Sequence, residues 1–177
     1  MTWSTEFVEL DRNTHDRNSF DCGNGELNQF LRTQAAKHMA AGISRTLLLP
    51  AANILPNGKF PICSFFTMAP SSIERANLPV KMAKKLPHYP VPVFLLAQLA
   101  VHREYQSQGL GGITLIKALE NFWQVNEHMR AYAVIVDCTN DDARSFYEKY
   151  DFQFLCDHND RCRLFLPMRT VSSLFQD

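Results

Sequence analysis

The feature that most constrains this chain is the passage from VPVFLLAQLAV, residues 91 to 101, through HREYQSQG into LGGITLIKALENFW, residues 110 to 123. The first run is apolar apart from Gln98 and fits a strand covered on both faces. Its eleven residues fall short of the ~20 that span a bilayer. Past the glycines, Leu110, Ile113, Ile116, Lys117, Leu119, Glu120 and Trp123 divide into apolar and polar faces at helical spacing. A strand that enters a helix through Gly109, Gly111 and Gly112 presents consecutive backbone N–H groups at the positive end of the helix dipole, where an anion binds. The turn is therefore a candidate phosphate site, with a merely tight connection as the competing reading.

The remainder fits one core. At 177 residues and 46% hydrophobic content, a single domain over residues 1–177 is expected. Lys plus Arg and Asp plus Glu each total 18, so no overall basic field points to a polyanion and any such site must be local. The opening MTWSTEFVELDRNTHDRN lacks the basic start and apolar centre of a secretory signal, and no segment suits a membrane span. Five scattered cysteines without a Cys-x-x-Cys pair read as buried thiols of a reducing cytoplasm. Neither they nor the six histidines show metal-ligand spacing, so no metal is expected.

Around the central unit, EFVEL (residues 6–10) reads as a short strand. Leu27, Phe30, Leu31 and Ala35 predict a helix over about 25 to 40, capped by Asn24 and stopped at Gly42. SRTLLLP and KFPICSFFTMAP form a hairpin across Asn57-Gly58. Residues 70 to 90 carry four prolines and allow only short helical turns, with Ser71 to Glu74 a candidate capping box and Pro79 at a first helical position. AYAVIVDC, a helix from about Asp141 to Lys149, FQFLC and CRLFL complete a mixed α+β domain whose sheet has six or seven strands.

Two nucleotide motifs can be tested at the turn. A P-loop requires Lys-Ser or Lys-Thr after its second glycine, and the chain contains neither pair. A dinucleotide fingerprint requires a third glycine where Thr114 stands. What remains is Gln106-x-x-Gly109-x-Gly111 after a buried strand and opening a helix. That pattern resembles the acetyl-CoA pyrophosphate loop of the Gcn5-related N-acetyltransferases (GNAT). NDDARSFYEKYDF, residues 140 to 152, is similar to a second segment of that family, Asn-x-x-Ala-x-x-Phe-Tyr-x-x-x-Gly-Phe. SFDCGNGELNQFLRTQAAKH, LPVKMAKKLPHYPVPVFLLAQLAVHREYQSQGLGG and ARSFYEKYDF together resemble the toxin branch of the family, whose members are encoded beside a ribbon-helix-helix antitoxin and acetylate the α-amine of aminoacyl-tRNA. Phe20-Asp21-Cys22-Gly23 and LAQLAVHREYQSQGLG carry most of that likeness. The chain departs from the branch at Gln98, where an arginine is common, and at Asp151, where glycine is usual; Asp tolerates positive φ better than most residues.

The resemblance implies the GNAT fold, a central and mostly antiparallel sheet with about four helices, and acetyl-CoA as donor. It places backbone groups of Leu99, Ala100 and Val101 on the pantetheine arm and amides of Gln106, Ser107, Gln108, Gly109, Leu110, Gly111 and Gly112 around the pyrophosphate. Asn140 would bond the pantetheine end, with a helix N-cap as the alternative. Tyr147 would be the acid that protonates the departing thiolate, since a phenol of pKa ~10 keeps its proton at neutral pH. No general base stands out: His102 reads as a surface histidine and Asp137 as a turn aspartate. An α-amine of pKa ~7.7–8.0 needs little help, which favours such an acceptor over lysine at ~10.4. Arg75, Lys81, Lys84 and Lys85 form a local basic stretch that could meet a tRNA backbone, extended by Arg32 and Lys37, or a solvated face. The expectation is a cytoplasmic, homodimeric tRNA-acetylating toxin. The alternatives are an acetyltransferase for a small amine, an antibiotic or a protein N-terminus, and a CoA-binding module without turnover.

Overall fold

The computed structural model describes residues 2–176, which carry eight strands and six α-helices. Their contacts fall into two compact units, one of residues up to Ala69 with Ala97–Ala118, the other of Pro70–Leu96 with Leu119 onward.

The first unit begins with β1 (Val8–Glu9) and a two-residue β2 (His15–Asp16), then β3 (Arg45–Pro50) and most of β4 (Phe60–Ile73). Leu48 of β3 pairs with Val8 on one side and Phe65 on the other, both antiparallel, while β2 runs parallel to β4. β3 is buried from Thr46 to Leu49, and the Thr46 and Thr67 hydroxyls bond across the pair at 2.7 Å, so each of these buried hydroxyls has a partner. The hairpin turns where expected, with Gly58 at φ 81° donating to the Leu55 carbonyl at 2.9 Å. The next strand along is the end of β5 (Val91–Val101), giving the order β1-β3-β4-β5.

Asn24 caps α1 (Gly25–Thr33), its side-chain oxygen accepting from Glu26 and Leu27 N–H at 3.0 and 3.3 Å. The single helix expected to about residue 40 is two: Gln34, at φ −120° and ψ −39°, breaks it before α2 (Ala35–Ala40). The bend leaves Ala35 as fully buried as Leu31, in one cluster with Phe20, Phe30, Leu48, Ile62, Phe65 and Ala100. Gly42 ends the segment at φ 76°. A smaller cluster joins Leu49, Ala51 and Cys63 to Tyr105 and Leu110, so the glycine turn is anchored from both of its ends.

In the second unit β5 starts parallel to β6 (Ala133–Cys138), with Phe94 opposite Val134. The order β5-β6-β8-β7 continues antiparallel through β8 (Arg161–Pro167) and β7 (Gln153–His158). β2 with β4 and β5 with β6 pair parallel, whereas β1 with β3, β3 with β4, β6 with β8 and β7 with β8 pair antiparallel.

The expected capping box at Ser71–Glu74 does not form. The backbone stays extended to Ile73, whose buried side chain joins Val91, Val93, Ile135 and Phe165, and that burial outweighs a local cap. A 3₁₀ turn at Arg75–Asn77 follows, and Pro79 is the N-cap of α3 (Val80–Ala83) rather than its first residue. α4 (Leu110–Asn126) runs from the first unit into the second. Its buried stripe is Leu110, Thr114, Leu115, Ala118, Leu119 and Phe122, leaving Ile113 and Ile116 exposed, against the face expected from spacing. α5 (Asp141–Glu148) lies as predicted, and α6 (Met168–Phe175) is an addition. α6 buries Met168 and Val171 and stacks Phe175 on Trp123 at 5.5 Å between ring centroids.

Candidate active site

The candidate loop residues lie in the first unit. Leu99 and Val101 are half-buried and Ala100 buried, so the last turn-ward residues of β5 are less covered than its start. His102 opens a 3₁₀ turn at Arg103–Tyr105, its Nδ1 accepting from the Glu104 N–H at 3.1 Å. Tyr105 is buried, and burial next to Cys63 pushes its phenol up to about 12. Gln106, Ser107, Gln108 and Gly109 then run over the surface to Leu110.

Within those four residues Ser107 lies at φ 61° and Gly109 at φ 83°. Gln106 before them is extended, at φ −69° and ψ 160°, and turns that carry left-handed residues are among the backbone conformations that hold anions. A Cβ added at Gly109 would meet nothing within 4 Å, so the space beside the loop is open while its backbone is restricted. Thr114, which replaces the glycine of a dinucleotide motif, is fully buried; its hydroxyl donates to the Leu110 carbonyl at 2.7 Å and lies 2.8 Å from the Ser64 hydroxyl. The exposed backbone of Gln106 to Gly109 is thus accessible to an anion such as a phosphate.

The second unit carries the other candidates. Asn140 caps α5, its Oδ1 accepting from the Ala143 N–H at 2.8 Å. The cap engages the amide oxygen only, and Nδ2 keeps its two N–H donors. Tyr147 sits on the following turns with its ring packed on Phe146 and Phe152 at 5.1 and 5.3 Å. Only 8% of the residue is exposed, and among the described residues its hydroxyl makes no hydrogen bond. Burial pushes the phenol well above its ordinary value, with the Cys138 thiol beside it adding to the shift. The proton therefore stays in place at any physiological pH. Tyr150, one turn on, is a packing residue against Phe146.

Neither suggested base is available. Because the His102 Nδ1 accepts a hydrogen bond, the proton is on Nε2, which faces the Ser19 carbonyl at 3.3 Å, and the ring is further held on Phe20 and Tyr105. Asp137 is in β6, not a turn, and both of its oxygens accept from Arg163. Arg163 was missed in the sequence, although an arginine inside the apolar CRLFL run signals a buried partner. Of the basic stretch, Lys81, Lys84 and Lys85 are exposed, whereas Arg75 Nε donates to the Ala83 carbonyl at 3.0 Å and braces α3. Arg32 likewise serves the fold, donating to the Phe20 carbonyl. No group of three or more metal-ligating side chains occurs among the described residues.

Residues 74–154 match the acetyltransferase (GNAT) domain model. Over 162 residues, 92% of this chain and 92% of the relative, the sequence is 31% identical to a Mycobacterium tuberculosis protein described as a tRNA-acetylating toxin. A tyrosine-to-phenylalanine mutant of KacT matches with a TM-score of 0.87 at 25% identity, covering 99% of this chain and 100% of that one. AtaT complexed with acetyl-methionyl-tRNAfMet matches at 0.83 and 28% identity, over 97% and 99% of the two chains. AtaTR bound with AcCoA gives 0.82 at the same identity, over 97% and 98%.

Proposed function

The chain belongs to the GNAT acetyltransferases, in the branch of the tRNA-acetylating toxins, and from that premise we propose that it moves the acetyl group of acetyl-CoA onto the α-amine of an aminoacyl-tRNA and so blocks translation. It is an acetyl-CoA-dependent N-acetyltransferase. The observation that carries the acceptor is the match along nearly the whole chain to a named tRNA-acetylating toxin and to AtaT solved with acetylated Met-tRNA.

We assign the residues as follows, the chain acting as one catalytic domain. Amides of Gln106 to Gly112 bind the pyrophosphate, helped by the N-terminal end of α4. Backbone groups of Leu99, Ala100 and Val101 pair with the pantetheine arm, and Asn140 donates to its end through Nδ2. An α-amine is substantially neutral near pH 8 without a base, which accounts for His102 and Asp137 being committed to the fold. As the amine attacks the thioester carbonyl the C–N bond forms, and collapse of the adduct breaks the C–S bond. Tyr147 gives its phenolic proton to the departing sulfur and regains one from the nitrogen, directly or through water, so the enzyme ends unchanged.

Lys81, Lys84 and Lys85, with the remaining guanidinium donors of Arg75, meet the phosphate backbone of the acceptor stem. The protein acts in the cytoplasm, as a homodimer, and a ribbon-helix-helix antitoxin is its natural inhibitor. Labelled acetyl transfer to total charged tRNA tests the proposal; transfer to a small amine or a protein N-terminus, with tRNA unlabelled, would replace it.

A further inference from the structure

The Phe20-Asp21-Cys22-Gly23 segment takes no part in the chemistry above, yet the structure ties it closely to the stretch between β5 and α4. Asp21 sits at the centre. Its Oδ1 accepts from the Gly23 N–H at 2.9 Å and from Asn28 Nδ2 at 3.0 Å, and its Oδ2 faces Arg103 Nε at 3.2 Å. Its backbone carbonyl accepts from the Arg103 N–H at 2.9 Å. Next along, the Cys22 N–H donates to Asn28 Oδ1 at 2.9 Å, and the Cys22 carbonyl accepts from Gln106 Nε2 at 2.9 Å. The same Gln106 nitrogen donates to the Val101 carbonyl at 2.9 Å.

Gln106 thus uses its side-chain nitrogen to close the stretch from Val101 to Gln106 into a ring against Cys22. Asn28, 9% exposed on α1, makes the anchor rigid. Gly23 is needed for its φ of 88°; an added Cβ would meet the Arg103 guanidinium at 3.6 Å, an ordinary contact. The Gly23 N–H, followed by Asn28, holds the Asp21 carboxyl below its usual range, so the ion pair persists at physiological pH.

We propose that Asp21, acting through Arg103 and through the Cys22 carbonyl on Gln106, is the positioning residue of the acetyl-CoA loop. The inference rests on the assignment of Gln106–Gly112 to the pyrophosphate. Loops that carry left-handed residues such as Ser107 have competing conformations, and a brace on the first loop residue selects the one with its amides converged. The brace contacts no reacting atom, so its loss falls on binding of the donor and not on the chemical step.

The experiment measures acetyl-CoA affinity by calorimetry, with KM and kcat for acetyl transfer, in Asp21→Asn, Gln106→Leu and Gln106→Arg. Asn at position 21 keeps an oxygen for Gly23 but turns a donor toward Arg103. Leu at position 106 removes both hydrogen bonds at an exposed site and preserves the fold, so it decides the matter should Asp21→Asn fail to fold. We expect Kd and KM for acetyl-CoA to rise roughly tenfold in both variants with kcat within about twofold. Gln106→Arg, which retains N–H donors, restores affinity. Unchanged affinity in folded Gln106→Leu, or Gln106→Arg as weak as Gln106→Leu, overturns the inference. Gly109→Glu separates the two layers: if it binds acetyl-CoA normally the loop assignment itself fails, and if it alone loses binding only the brace fails.

Discussion

Arg163 holds Asp137 by two parallel hydrogen bonds, Nε to Oδ1 at 2.7 Å and Nη2 to Oδ2 at 2.9 Å, across paired positions of β8 and β6. The guanidinium side chain is only 10% exposed and the carboxylate 22%. Removing one partner of a pair so enclosed leaves an uncompensated charge, so Arg163→Met should destabilise the protein by about 3 kcal/mol in denaturant unfolding. Asp137→Asn should lower the melting temperature too, yet keep the kcat of the folded fraction; a collapse of kcat in folded protein would make Asp137 a base after all.

The two buried phenols contribute to the loss of stability at alkaline pH. Burial raises Tyr105 to about 12 and Tyr147 further still. The unfolded chain gives up these protons first, near ~10, so their contribution is complete below about pH 10 and is lost as pH climbs toward the folded values. The buried thiols of Cys63 and Cys138, pushed up to about 11, act in the same sense from about pH 9, so denaturant midpoints should begin to fall above about pH 9 and fall further above about pH 10, that second part less steeply in Tyr147→Phe. Phenolate absorbance from either residue near pH 10 in folded protein would contradict this. For the same reason the kcat profile should show no falling limb from Tyr147 below pH 10.

At Gly109 the backbone angle and the open space make separate predictions. Gly109→Ala meets no neighbour but pays for the left-handed conformation, about 1 kcal/mol by thermal unfolding. Gly109→Glu adds an anion where the phosphates are to bind and should abolish acetyl-CoA binding in calorimetry.

Asp151 stands at φ 70° three residues past the end of α5, where its N–H donates to the Glu148 carbonyl at 3.1 Å. Asp151→Gly should stabilise by about 0.5–1 kcal/mol, because glycine takes this conformation without a Cβ penalty. A lower melting temperature in that variant would mean the carboxylate has a role of its own.

What could be read in the sequence was what local chemistry decides. Asn24 and Asn140 cap helices because their side chains reach the next N–H groups, and Asn57-Gly58 turns because glycine accepts positive φ. The turn from the apolar strand into α4 was legible for the same reason, since Gln106, Gly109 and the apolar run before them are contiguous. Long-range burial was not. Ser71 satisfies a capping rule, but Ile73 draws the backbone into a strand. Ile113 and Thr114 are both compatible with helical spacing, and only the Ser64 hydroxyl selects Thr114 for the inside. Met168 to Phe175 becomes helical where Met168, Val171 and Trp123 supply a surface to cover. Asp21 looked like a family signature, and its work became visible only when Asn28, Arg103 and Gln106 were brought around it.

The central claim is that Tyr147 drives acetyl transfer to charged tRNA. Wild-type protein and Tyr147→Phe, each incubated with labelled acetyl-CoA and total aminoacyl-tRNA, give the most direct measurement. The account predicts label on the aminoacyl end with wild type and a loss of about a hundredfold or more in kcat with the variant, at similar acetyl-CoA affinity. Equal rates for the two proteins, or no label on tRNA with either, would contradict it.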